Sequence, residues 1–304
     1  VNAAEFYLED LKSKFTKINP NDYYLAYSGG RDSHFLLWFI REYLHETRIP
    51  AVYSNTGMEI PEIRDRALAN CDVVLKPAMK HFEIKEKYGI PLNTKQSDKW
   101  VWEYQRRRAE GISDEDMPGW VKYYAMRDVN GTKNGREKGL LSRYAVNKQT
   151  CLYMMGGGLH KVSPFCCKYL KKEPAKVYEA KTGRKAILGM MREESIVRAF
   201  QYQTCFSKNG KFHPIYDLTQ ELESEIEREF DIPVPYIYHF ATQTGCAGCP
   251  YGQHGKDRFF NTNLNLNLCK EGQRKFILEY FKESYEFKGY EFKPMIFQAE
   301  GIYG

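Results

Sequence analysis

The chain has 304 residues, of which 42% are hydrophobic, 28% charged and 15% aromatic, so it can bury a sizeable core and is not compositionally disordered. Its 45 Lys and Arg against 39 Asp and Glu leave a net charge of +6, too mild to mark a nucleic-acid binder by charge alone. No run approaches the ~18 consecutive apolar residues of a membrane span, and the opening VNAAEFYLEDLKSKF is amphipathic, so a cytoplasmic chain with no membrane partner is expected.

In chain order the pattern predicts a strand over 23–27, a helix over 32–45, a strand over 51–54, a helix over 61–69 and a strand over 72–75. Strand and helix in alternation mean a parallel sheet with helices on its faces. The alternation then stops. From 95 to 158 there are no clean strands, but there are three of the four tryptophans (Trp100, Trp102, Trp120), the run Arg106-Arg107-Arg108 and a Gly/Asn/Lys-rich stretch near 130–139. We read this as an insertion of helices and loops. Its basic and aromatic residues either serve a DNA or RNA partner or form the core of a solvated helical subdomain. The α/β pattern resumes with a helix ending near 180, a break at Thr182-Gly183, a strand over 186–189 and a polar helix start at 192–195. The expected fold class is therefore α/β, a mainly parallel sheet flanked by helices. Residues 1–94 and 159–255 would form the α/β domain, 95–158 the insertion and 256–304 a C-terminal helical extension.

Directly after the first strand comes Ser28-Gly29-Gly30-Arg31-Asp32-Ser33, and then the apolar helix HFLLWFI. Two glycines let the backbone turn tightly and approach a phosphate, while the new helix offers amide N–H groups and the positive end of its dipole. Ser28 and Ser33 add hydroxyl donors and Arg31 a charge. The motif lacks the Gly-Lys-Ser/Thr ending of a Walker loop and the G-x-G-x-x-G of a dinucleotide fold. An ordinary strand-to-helix turn with a Ser/Asp cap is the competing interpretation.

SGGRDS in this context resembles the PP-loop of the ATP-pyrophosphatase and phosphoadenylylsulfate (PAPS) reductase superfamily, whose fold is Rossmann-like, of the adenine nucleotide alpha-hydrolase kind. Tyr53-Ser-Asn-Thr-Gly-Met-Glu-Ile-Pro-Glu62 resembles the family's second nucleotide-side loop, and implies that Asn55, Thr56 and Gly57 lie near the ribose or adenine. Glu59 and Glu62 would cap the following helix. The resemblance continues through Cys166-Cys167-Lys-Tyr-Leu-Lys-Lys-Glu-Pro174, Gly189-Met-Met-Arg-Glu-Glu-Ser-Ile-Val-Arg198, Pro214-Ile-Tyr-Asp-Leu-Thr219 and Gly245-Cys-Ala-Gly-Cys-Pro-Tyr-Gly252. It implies anion-clamping roles for Arg192 and Arg198, although the Gly189 to Arg192 spacing is one residue wider than the commonest form.

The two close cysteine pairs, Cys166-Cys167 and Cys246-x-x-Cys249, stand 78 residues apart, and two such pairs suit a four-thiolate site. They resemble the 4Fe-4S pattern of adenylylsulfate (APS) reductases, of the phage or bacterial type. Zinc is the alternative metal, and four unconnected buried thiols a third reading. Cys205 would be a replacement ligand or a working thiol. Cys71, Cys151 and Cys269 read as small buried hydrophobes, and His213 and His254 as structural.

The tail cysteine used by PAPS and APS reductases has no match here, since no cysteine follows Cys269. The resemblance therefore implies binding of ATP or an APS/PAPS sulfonucleotide in sulfur transfer, with adenylylation at the ATP α-phosphate, release of pyrophosphate and Mg²⁺ on the phosphates. Arg31, Asp32, Arg192, Arg198 and Cys205 are the expected catalytic residues. A cysteine desulfurase or thioredoxin-like protein is the expected sulfur donor. Two alternatives stand beside this: a thioredoxin-dependent APS/PAPS reductase with its thiol moved to Cys205, and a non-catalytic nucleotide-sensing or DNA-binding module.

Overall fold

A computed structural model describes residues 2–131, 141–194, 204–241, 244–253, 259–298 and 301–303. In chain order the elements are α1 (Ala3–Phe15), β1 (Tyr23–Tyr27), α2 (Arg31–Trp38), β2 (Ala51–Ser54), α3 (Pro61–Asn70), β3 (Val73–Leu75), α4 (His81–Tyr88), α5 (Lys95–Ala109) and α6 (Gly119–Tyr124). Then follow α7 (Lys148–Met155), α8 (Glu173–Thr182), β4 (Lys185–Ile187), α9 (Gln220–Glu229), α10 (Phe260–Asn267), α11 (Glu271–Tyr280), α12 (Lys282–Lys288), β5 (Ile296–Gln298) and β6 (Gly301–Tyr303).

Two compact units result, one from residues 1–77 and 171–244 and the other from 78–170 and 245–304. These bounds differ from the expected ones, because segments 78–94, 159–170 and 245–255 fall in the second unit. The physical reason is local. Ile90 and Val162 form a parallel bridge, and Gly89 lies so close to the Lys161 carbonyl that a Cβ there would stand 2.1 Å from its oxygen.

The first unit is the α/β layer. All four strands run parallel in the order β3-β2-β1-β4, with Leu25 opposite Ala51 and Ile187 on its two sides. Alternation along β1 sends Tyr23, Leu25 and Tyr27 to one face, where Ala51, Tyr53 and Ile187 join Leu8 and Leu11 of α1 and Phe35 and Leu36 of α2. Tyr24, Val52 and Ala186 point to the other face and pack with Tyr178 of α8. A sheet covered on both sides needs apolar residues at both parities, and β1, YYLAY, has them. The expected helix over 32–45 is α2, shorter than predicted and closed by a π turn at Phe39–Tyr43.

The second unit is mainly helical. Leu92, Val101, Tyr104, Val121, Cys151 and Val162 form its core, with Trp100 and Trp120 packed against them. Beyond the three helices α10–α12, the C-terminal region ends in an antiparallel β5-β6 hairpin. Among the described residues no helix is long and apolar enough to cross a membrane.

Candidate functional site

In the order β3-β2-β1-β4 the chain moves outward from β1 to β3 and then returns to the far side of β1. The loops after β1 and β4 therefore leave neighbouring strand ends at the reversal of strand order, which is where open α/β sheets form a ligand crevice. The loop after β1 is Ser28-Gly29-Gly30. Gly29 has φ +76°, and a Cβ on it would stand 2.3 Å from the Ile63 carbonyl oxygen of α3, so only glycine fits. Ser28 and Ser33 hydroxyls lie 2.9 Å apart, the Ser33 hydroxyl donates to the Gly30 carbonyl at 3.0 Å, and the Gly30 amide donates to the Ser28 hydroxyl at 3.3 Å. The serines thus brace the turn as well as offering oxygens at it.

The loop after β4 meets the same helix start. A Cβ on Gly189 would stand 3.1 Å from the Asp32 carbonyl and 3.2 Å from the Ser33 amide nitrogen, so the two backbones are in close approach at the first turn of α2. Arg192 follows in a 3-10 turn, is exposed, and has its amide held by the Tyr216 carbonyl at 2.9 Å. Pro214–Thr219, the segment that supplies this carbonyl, has structural tasks besides. Asp217 receives Lys14 at 2.7 Å, and Thr219 caps α9 by accepting the Leu222 amide. Arg198 lies outside the described residues, as does His254.

Arg31 is placed differently from a loose phosphate clamp. Its Nε donates to both oxygens of Glu227 at 2.9 Å, its Nη donates to the Ser224 hydroxyl at 2.6 Å, and Glu223 lies 3.4 Å away. Glu223 and Glu227 are 0% and 6% exposed, so the guanidinium neutralises two buried carboxylates of α9. Asp32 sits in the first turn of α2, half-buried. One turn on, Nδ1 of His34 lies 2.9 Å from the Tyr27 hydroxyl. Burial, helped by the charge of Arg66, lowers the His34 pKa to about 4, so the ring is neutral at pH 7. The Arg31 amide donates to the Tyr238 hydroxyl at 3.1 Å, and that hydroxyl lies 2.8 Å from Thr244 Oγ1.

The loop after β2 is self-contained. Asn55 accepts the Gly57 amide at 3.0 Å, and the Thr56 hydroxyl donates to Glu59 at 2.8 Å while accepting the Met58 amide. Thr56 is 1% exposed, so its side chain braces the turn, whereas Gly57 is exposed. Glu62 lies in the first turn of α3, as expected for a charge at the helix dipole, while Glu59 precedes the helix and has other partners. Lys171 approaches Glu59 at 3.2 Å, and Glu62 accepts the Tyr236 and Ile237 amides at the start of the 3-10 turn Tyr236–His239.

Cys166, Cys167, Cys246 and Cys249 all belong to the second unit. The Cys246–Cys249 turn is pinned by the C-terminal helices. A Cβ on Gly248, at φ +71°, would strike the Tyr285 hydroxyl and Ile277, Tyr285 donates to the Gly248 carbonyl, and Lys288 donates to the Pro250 carbonyl at 2.8 Å. Burial, then the charges of Cys246, Cys167 and Cys249, push the Cys166 thiol well up. Burial, then Cys246 and Cys167, push Cys249 to about 12. Cys246 and Cys167 thus act on both Cys166 and Cys249. No disulfide joins any cysteine, and the donor set is chemically that of an iron-sulfur or zinc site. Among the described residues, however, no three His, Cys, Asp or Glu side chains are drawn together as a ready metal cage. Cys205 is in the first unit, half-buried against its core.

Among the described residues of the insertion, several aromatic and basic side chains meet one another or nearby acids. Trp100 stacks on Tyr124 at 4.6 Å and meets Trp120 at 5.5 Å. Arg106 pairs with Glu103 and Glu110, Arg107 lies over Trp120, and Arg108 donates to the Ile112 carbonyl. Sequence reasoning missed Glu223, Glu227 and Tyr238. Glu223 is buried on α9, a helix so rich in glutamate that each of them reads from the sequence as solvent-exposed.

No family model and no curated protein matches the chain. Among solved structures, a phosphoadenylyl-sulfate (PAPS) reductase from Candida auris in a phosphate complex is similar at TM-score 0.39 and 13% identity, over 81% of this chain and 97% of that one.

Proposed function

We propose that the first unit binds an adenine nucleotide in the crevice beside residues 28–33, and that the chain is a PP-loop enzyme of sulfur transfer or sulfonucleotide metabolism. The observation that carries this is the approach of Gly189 to Asp32 and Ser33: the loops after β1 and β4 meet at the helix start, at the reversal of strand order. There the first-turn amides of α2, that of Arg31 held by the Tyr238 hydroxyl, are the donors offered to phosphate or sulfate oxygens, with the exposed Arg192 of the loop after β4 as the cation and Asn55 and Gly57 on the nucleoside side. With ATP the chemistry is adenylylation. An acceptor oxygen attacks the α-phosphorus, the bond to the bridging oxygen breaks, and pyrophosphate leaves; a Mg²⁺ ion, if bound, would supply charge balance for the leaving group. Asp32, half-buried in the first turn of α2, is the carboxylate that would hold that ion. Arg31 is assigned to holding α9 against the loop.

We assign Cys166, Cys167, Cys246 and Cys249 to a 4Fe-4S cluster, which as an electron carrier or Lewis acid would supply the sulfur chemistry. Binding of ATP, APS and PAPS to anaerobically prepared protein, followed by assays for pyrophosphate and sulfite, tests the reading. Binding of at least one with product release is expected, and binding of none overturns it. Iron and sulfide analysis of the same preparation tests the cluster assignment separately.

A further inference from the structure

Gly30 is the residue at the N-cap of α2, and it has no side chain to satisfy the first-turn amides. The amide of Arg31 is satisfied instead by a tyrosine 207 residues away, whose hydroxyl oxygen accepts it at 3.1 Å. That tyrosine is held from both sides. Its own 3-10 turn is anchored where Glu62 accepts the amides of Tyr236 and Ile237 at 2.6 and 3.3 Å, and its hydroxyl also pairs with Thr244 Oγ1 at 2.8 Å. The missing Cβ of Gly30 leaves it room, since a methyl there would come within 2.9 Å of the same hydroxyl.

We propose that Tyr238 is a displaceable plug on the nucleotide loop: its hydroxyl occupies the Arg31 amide while the crevice is empty and leaves when an anionic phosphate or sulfate oxygen takes its place. This rests on the nucleotide-binding reading of the loop. A neutral hydroxyl is a weaker acceptor than a phosphate oxygen, because hydrogen bonds to ionised acceptors are roughly twice as strong, so the exchange runs toward the ligand. Until it happens, the plug lowers the fraction of molecules ready to bind, and apparent affinity falls by that fraction. A single net hydrogen bond corresponds to roughly three- to ten-fold in affinity.

The test is Tyr238→Phe, which keeps the ring and removes only the hydroxyl, compared with the unaltered chain by calorimetric titration with ATP and with APS. A dissociation constant roughly three- to ten-fold lower in the variant is expected, and binding by the variant alone also supports the plug. Equal or weaker binding by Tyr238→Phe, while the unaltered chain binds, overturns the plug and leaves the loop reading intact. No binding by either protein overturns both. Should Tyr238→Phe fail to fold, Thr244→Val decides the matter. It removes the second partner of the hydroxyl, so affinity should rise, by about twofold, and no rise counts against the plug.

Discussion

Arg31 and Glu227 are joined by a pair of 2.9 Å hydrogen bonds from one Nε to both carboxylate oxygens, across 196 residues of sequence. The guanidinium is 18% exposed and the carboxylate 6%, with Glu223 wholly buried beside them. Removing one member leaves buried charge without compensation. Arg31→Met should therefore lower unfolding free energy by about 3 kcal/mol, read from the urea midpoint. A variant as stable as its parent but unable to bind nucleotide would instead assign Arg31 to the ligand.

Two glycines of the crevice should separate fold from binding. Gly29→Ala forces a Cβ at φ +76° into the Ile63 carbonyl, and should cost at least about 2 kcal/mol of stability. Gly189→Ala meets the Asp32 backbone at 3.1 Å, a contact that a shift of a few tenths of an ångström relieves, at the expense of the loop's aim. Its melting temperature should change little while ATP affinity falls about tenfold, the equivalent of one charge-assisted hydrogen bond. Calorimetry and thermal unfolding on the two variants check the contrast.

Acid should loosen both units. Burial lowers His34 to about 4, with Arg66 adding to the effect, and lowers His160 to about 4, with Glu283 partly opposing it. The unfolded chain takes up these protons near the ordinary 6.5, the folded chain only near 4, so the unfolded state binds more protons between those values. Stability is then complete above about pH 6.5 and declines as pH falls toward 4. In His34→Gln, which keeps an acceptor for Tyr27, the urea midpoint should fall less steeply over that window. An unchanged slope would show that His34 is not buried as a neutral ring.

The thiols of the second unit should be sluggish without metal. Burial holds Cys249 at about 12 and Cys166 well above its ordinary value, and only the thiolate reacts. Metal-free protein at pH 7.5 should alkylate slowly at both and quickly once unfolded. Anaerobic reconstitution with iron and sulfide should give a brown protein in which Cys246→Ser lowers the iron content and Cys205→Ala does not. Equal iron in the Cys246 variant would sink the four-thiolate assignment.

The strands 23–27 and 51–54 and the helix beginning at 61 were legible because each is announced by residues within the element: β-branched and aromatic runs, a Gly-Gly break, a proline at the first helical position. The proposed site was legible only in part. Ser28 to Ser33 stand where the strand-turn-helix pattern puts them, yet the partners that set their behaviour come from afar. Glu227 and Tyr238 reach the loop over about two hundred residues, and nothing local marks either of them. The three arginines of α5 show the same dependence on partners. Read along the sequence they form a basic patch; folded, they are bonded to Glu103, Glu110, Trp120 and the Ile112 carbonyl.

The sheet has a further implication for how the protein is born. Its chain leaves the sheet at Leu75 and comes back at Lys185 to pair with Tyr23, Tyr24 and Leu25. A ribosome therefore delivers most of the helical unit before the last strand exists, and through that interval one flank of β1 waits with unmet amides and carbonyls. Contacts so distant in sequence form slowly, so the nascent amino-terminal segment is the stage at which this protein is most exposed to self-association and most in need of a chaperone.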